Sequence, residues 1–337
     1  MIIIRPLDIN PGIGPALIDA NLANVIDFAD DQMHVFEDGL MATNVPSFDP
    51  AEPVWAAGTT YALGAIVTVL GATQRRYESL EAGNVGNDPT TSPLKWLDLG
   101  ATNRWRMFDG GTSTLTTNPD SITVAVHSTQ YINAIALFNV GATEVEVKVF
   151  RDALLLHTMN VDLRVTADSS SWHAYFYGST GEAFDAIRDF VDLSIPGGYG
   201  QRVEMKFTRT GEDVEVGLIV VGRQQKLGDT MFGSRIGITD YSRKDVDDFG
   251  NFTVTERRFS KRAELDVMVR TRDVSKVQRA LSQIRATPTV YVGSDWADAS
   301  RENPTYEETI VYGYYRDFTV ILDTAGISTC NIELEGL

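Results

Sequence analysis

Aromatic side chains recur between residues 51 and 100 at spacings punctuated by glycine and proline: Trp55, Gly58, Tyr61, Gly64, Tyr77, Pro89 and Trp96. Two tryptophans and two tyrosines carry more ring surface than a segment of this length needs for a core, and a small unit keeps much of its surface in water. Some ring faces are therefore expected to stand open to solvent. An exposed indole or phenol plane offers a large, rigid apolar contact, which suits the apolar face of a sugar ring. The competing reading is a minimal β-fold whose rings form its own core. Trp55, Tyr61 and Trp96 can each be structural, and Tyr77 fits either role.

Bond-breaking chemistry is harder to place. The histidines at 34, 127, 157 and 173 have no histidine partner at helical spacing, and none lies in HExxH. There is no GxSxG, no P-loop and no GxGxxG. Gly12-Ile-Gly14 runs straight into Pro15, and the glycines at 197, 198 and 200 read as a turn. Glycosidases work with two carboxylates. The adjacent candidates are Asp30 with Asp31, Asp245 with Asp247 and Asp248, and Asp295 with Asp298; such groups meet in space rather than in sequence. Residues 245–251 approach a calcium loop, but Phe249 stands where an oxygen ligand belongs and no glutamate follows at the right distance. No catalytic residue, metal ligand or cofactor is expected.

The 337 residues are enough for two or three domains. A net charge of −17 argues against a nucleic-acid partner, whose phosphates need clustered Lys and Arg, and against an anionic membrane surface. Neutral glycans or basic protein surfaces fit better. The single cysteine, Cys330, excludes an intramolecular disulfide and a cysteine-rich zinc site, and its apolar–polar surroundings predict a buried thiol. The opening MIIIRPLDI lacks the apolar region and cleavage site of a signal peptide, and no run of about 18 apolar residues occurs. These features predict synthesis and folding in a cytoplasm. The run Glu256-Arg257-Arg258-Phe259-Ser260-Lys261-Arg262 stands out in an acidic chain. It reads as a charged strand edge or as a contact for the acidic surface of a neighbouring subunit.

The elements that would position these groups are mostly strands. Residues 1–50 read as a short strand at 2–4 followed by an extended arm, with Leu22, Val25 and Ile26 on a short helical face. Residues 51–100 form the aromatic module. Over 101–222 strand signals recur at 121–127, 132–139, 144–150, 171–177, 190–195, 203–208 and 214–221, with a helical turn at 185–189. The alternation of Val145, Val147 and Val149 with Glu144, Glu146 and Lys148 is the clearest case. Short strands at this spacing predict an antiparallel β-sandwich or jelly roll. If strand 2–4 pairs into that sandwich, the module is an insertion. Residues 223–250 read as a long loop. Over 223–337, strands at 252–255, 263–269, 289–292, 309–315, 318–322 and 330–334 surround one helix. Asp273 is its expected N-cap, Val274, Val277, Leu281 and Ile284 its apolar face, and Pro288 its stop. The fold class is thus mainly β: a sandwich, a small inserted β-module and a C-terminal α+β domain with one packed helix.

The module's spacing resembles a known family. WxxGTTYxxGxxV over Trp55 to Val67, then Tyr77 and Ser79, Ala82-Gly83-Asn84, Pro89, Ser92-Pro93 and Lys95-Trp96, is similar to the small chitin-binding type of carbohydrate-binding module (family 5/12). The resemblance implies sugar binding through Trp55, Tyr61, Tyr77 and Trp96, with Glu78 and Asn84 hydrogen-bonding hydroxyls. Other segments, MIIIRPLDI, KWLDLGATNRWRMFDG, RRFSKRAELDVMV, KVQRALSQIRATPTVYVGS, VYGYYRDFTV (as a hairpin) and CNIELEGL, resemble tail proteins of siphophages and prophages. This second resemblance covers most of the chain. It implies a virion structural protein of the tail tip or baseplate, assembled as a ring or trimer with other tail proteins and touching host surface polysaccharide. The alternatives are a purely architectural tail protein and a polysaccharide-degrading enzyme.

Overall fold

A computed structural model describes residues 1–7, 39–46, 49, 51–70, 74–163, 187–246, 249–293 and 307–337. The strand expected at 171–177, the helical face of the N-terminal arm, His34, His173 and the aspartates at 30, 31, 247, 248, 295 and 298 lie outside these residues.

The chain is mainly β and its strands pair antiparallel. Fourteen of them share one sheet. Its pivot is β11 (Gln201–Lys226), a 26-residue strand that serves two layers. The first half of β11 lies between β6 (Thr116–Ser128) and β8 (Glu144–Arg151), with β2 (Gly39–Thr43) outside β6 and β9 (Leu154–Asp162) outside β8. The second half lies between β7 (Ala134–Gly141) and β1 (Ile2–Pro6), with β10 (Phe190–Asp192) outside β7. A register shift between Thr208 and Asp213 marks the corner. The Thr-Gly-Glu-Asp sequence there reads as the end of a strand, but it is a bulge within one strand, which bends the ladder and increases its twist. The two expected strands at 203–208 and 214–221 are thus a single element.

Alternation fills the space between the layers. Val145, Val147 and Val149 of β8 stand beside their cross-strand partners Phe207, Met205 and Val203 of β11, and Ile122, Val124 and Val126 of β6 flank these on the other side in one buried cluster. Each such side chain contributes about 1.5–3 kcal/mol of burial.

The sheet does not break at residue 222. β1 pairs with β11 on one side and with β17 (Thr289–Val292) on the other, and the order continues through β18 (Ile310–Ile321), β19 (Ile327–Gly336) and β16 (Phe259–Arg270). Ile3 enters the C-terminal core, while Ile2 and Ile4 enter a cluster shared with β7, β11 and β17. An N-terminal strand thus joins the sandwich-like part to the C-terminal part through both faces. Helix α1 (Val274–Gln283) follows a 3-10 turn at Thr271–Asp273 and buries Val277, Ala280 and Leu281 against β16 and β19. Asp273 does occupy the N-cap position, but its side chain makes no capping hydrogen bond. The helix ends before Pro288: Ile284 is its C-cap, and Ala286 has φ +57°, in the left-handed region.

Three expectations are corrected. Residues 223–250 are not a loop: β11 runs to Lys226, and β12 (Asp229–Thr230) and β13 (Arg235–Asp240) pair with β16, while β14 (Arg243–Val246) pairs with β15 (Phe252–Thr255) in a two-stranded sheet. These strands are solvent-facing, so no buried alternation announces them. Nor are 309–315 and 318–322 two arms of a hairpin. They form the single strand β18, bulged between Tyr315 and Asp317 and paired along β19. Residues 187–189 are not helical either.

Candidate functional site

The aromatic module has its own three-stranded sheet of β3 (Ile66–Val69), β4 (Arg75–Ser79) and β5 (Trp96–Ala101). It sits in the connection between β2 and β6, which are neighbours in the large sheet. Its core is a separate cluster of Tyr61, Val67, Tyr77 and Trp96, with Trp55, Ala65 and Val69 packed against it. The ring of Tyr61 meets that of Trp96 edge-on at 5.3 Å.

This arrangement corrects the expectation of open ring faces. Trp96 is 2% exposed, and Tyr61 and Tyr77 are also buried. The reason is supply: apart from these rings, Val67 is the only fully buried hydrophobic side chain among the described residues of the module, so the rings themselves must serve as its interior. Each polar tip is satisfied from within where it is fixed. Trp96 Nε1–H donates to Asn87 O at 3.0 Å, and the Tyr61 hydroxyl accepts Ala56 N–H at 2.8 Å.

Asn84 is also interior. It is 1% exposed, its Nδ2 donates to Ser79 Oγ and Lys95 O, and its Oδ1 accepts from Asn87 Nδ2 at 2.7 Å. Its amide is committed to holding the 79–95 turns together and is not offered to a ligand.

Two of the six expected residues remain at the surface. Trp55 is half-buried; its backbone N–H is anchored on Thr68 O at 2.9 Å, while its indole N–H has no acceptor among the described residues. Glu78 is half-buried, and its carboxylate makes no hydrogen bond among the described residues. The two do not converge. Tyr77 faces the core that Trp55 packs on, and strand alternation puts Glu78 on the opposite face, beside its cross-strand partners Ile66 and Leu97.

The module's exposed apolar surface is aliphatic. Leu63, Leu80 and Leu94 are open to solvent, Leu94 at 88%. Backbone hydrogen bonds from Gly64 to Ser79 and from Leu80 to Lys95 bring their turns side by side. The spacing of the rings carries no sign of these leucines. Their signal was position, since each flanks a turn rather than alternating with a core residue. Ion pairs brace the frame: Arg76 with Glu52, Lys95 with Glu81, and Arg75 with Asp98 at 2.8 Å. The Glu52 hydrogen bond raises the Arg76 pKa, and Thr90 donors lower that of Asp88.

Elsewhere, His157 Nε2 lies 2.9 Å from Asp192 Oδ2, while Asp192 Oδ1 accepts from Ser194 Oγ at 2.7 Å. The serine thus donates to the carboxylate and not to the imidazole, the reverse of the order that activates a nucleophile. The pair ties β9 to β10 across the layers. A cleft of about 340 Å³ is lined mainly by Pro6, Leu7, Phe108, Leu218, Val220 and Tyr312, and burial raises the Tyr312 pKa. Among the described residues no group of His, Cys, Asp and Glu could hold a metal ion, and no helix is long and apolar enough to cross a membrane. Comparison with protein-family models, with curated proteins and with solved structures finds no match for the chain.

Proposed function

We propose that this chain is a structural protein of a phage tail tip or baseplate that displays residues 51–100 for attachment to host surface glycan, in a ring or trimer of identical copies. One observation carries the reading. A unit with its own sheet and its own core is inserted between two strands that pair with each other, so the scaffold keeps its ladder while the insert stands apart. The sequence resemblance of that insert to chitin-binding modules supplies the ligand class. Trp55, the one ring of the four left partly open, is the stacking surface, and many copies on one particle would raise a weak single-site affinity through effective concentration.

The full chain is tested for retention on insoluble chitin and on host cell-wall polysaccharide. Retention that falls at least about tenfold in Trp55→Ala, the loss of roughly one stacked ring, with amide exchange of the module unchanged, supports the reading. No retention of the wild type, or equal retention of the variant, overturns it. The burial of Tyr61, Tyr77 and Trp96 favours a second reading in that event: the module is an architectural spacer that binds no sugar.

A further inference from the structure

The hairpin of β14 and β15 is amphipathic, and among the described residues its apolar side is uncovered. Cross-strand pairing sets Val246 opposite Phe252 and Lys244 opposite Val254 on one face, and Asp245 opposite Thr253 and Arg243 opposite Thr255 on the other. All eight of these residues are exposed. An alternation this regular belongs to a sheet with one covered face, and a two-stranded hairpin alone is marginal in water.

Val246, Phe252 and Val254 on that face are each more than half exposed, and so are Ile238, Phe249 and Phe259 elsewhere on the chain, Phe249 at 90%. Exposed apolar side chains gathered on one strand face mark an interaction surface. Among the described residues β13 pairs only with β16, which leaves its other edge unpaired, a hazard that proteins normally cover.

The basic run divides at this place. Lys261 turns inward, 2.5 Å from Asp189, and Arg262 pairs with Glu264 at 2.6 Å. Arg257 and Arg258 are exposed and pair with no carboxylate among the described residues. Lys244 sits 4.7 Å over the Phe252 ring on the apolar face itself. Unpaired cations around an apolar face, on a chain of net charge −17, match the surface of another copy of the same chain, where carboxylates are in excess.

We infer that the β14–β15 hairpin is a docking arm whose Val246–Phe252–Val254 face is buried against a second copy of this chain, with Arg257 and Arg258 pairing to that copy's carboxylates. The inference deepens the assembly part of the proposed function and does not depend on glycan binding. It is tested by light scattering on the full chain across a concentration series. The wild type is expected at a multiple of 37.1 kDa, Phe252→Asp with Val254→Asp at the monomer mass, and Arg257→Glu with Arg258→Glu at weakened association. Circular dichroism should be unchanged in each. A monomeric wild type, which would assign the face to a different protein, overturns the inference; so does an oligomer whose mass survives the Phe252 and Val254 substitutions. Chitin retention of the same variants separates this outcome from the fate of the glycan reading.

Discussion

Trp96→Ala separates a core ring from a ligand-binding ring. The side chain is 2% exposed, donates a hydrogen bond to Asn87 O and meets Tyr61 edge-on. Truncating a buried tryptophan costs about 3–5 kcal/mol, and the aromatic pair contributes a further part of order 0.5–1.5 kcal/mol. A unit of this size draws no more than about 3–5 kcal/mol from its core, so the loss is comparable with everything that holds the module together. The large sheet should be indifferent, because its clusters share no residue with the module's core. Hydrogen exchange by mass spectrometry should therefore show amides of β3 and β4 exchanging at least about 100-fold faster in the variant, with β6, β8 and β11 unchanged. Retained protection of β3 and β4 together with lost chitin binding would refute the reasoning and restore Trp96 as a stacking residue.

Two further outcomes follow from buried titratable groups. Burial first, and then the negative charge of Asp189, raise the Glu307 pKa above its ordinary 4.5. A carboxyl raised in the folded state contributes stability that is present below the unfolded pKa and lost as pH rises through the folded one. Glu307→Gln should accordingly gain in melting temperature relative to wild type as pH rises from about 4.5 to 7; a flat or falling difference would contradict this. Burial also raises the Cys330 thiol to about 11 at 0% exposure. Alkylation at pH 8 should be negligible in the native protein and complete in denaturant, and rapid native labelling would show the C-terminal core to be open.

The sequence by itself determined the class and much of the strand inventory. The valines of β8 alternate with charge, the apolar residues of α1 recur at helical spacing, and the module is bounded by its prolines and glycines; each is a local pattern set by which neighbours face water. Strands without such a pattern, β13 and β14 above all, were invisible because both of their faces are exposed.

Only the tertiary structure decided which rings were interior. Composition gave four rings in one short segment, but whether a ring faces core or solvent depends on what else is available to fill the module, and here almost nothing was. The same holds for β1. Five residues at one end of the chain join β11 to β17 across more than 200 positions of sequence, because backbone donors and acceptors must be paired wherever they are buried, and local sequence does not record which distant strand will pair with them.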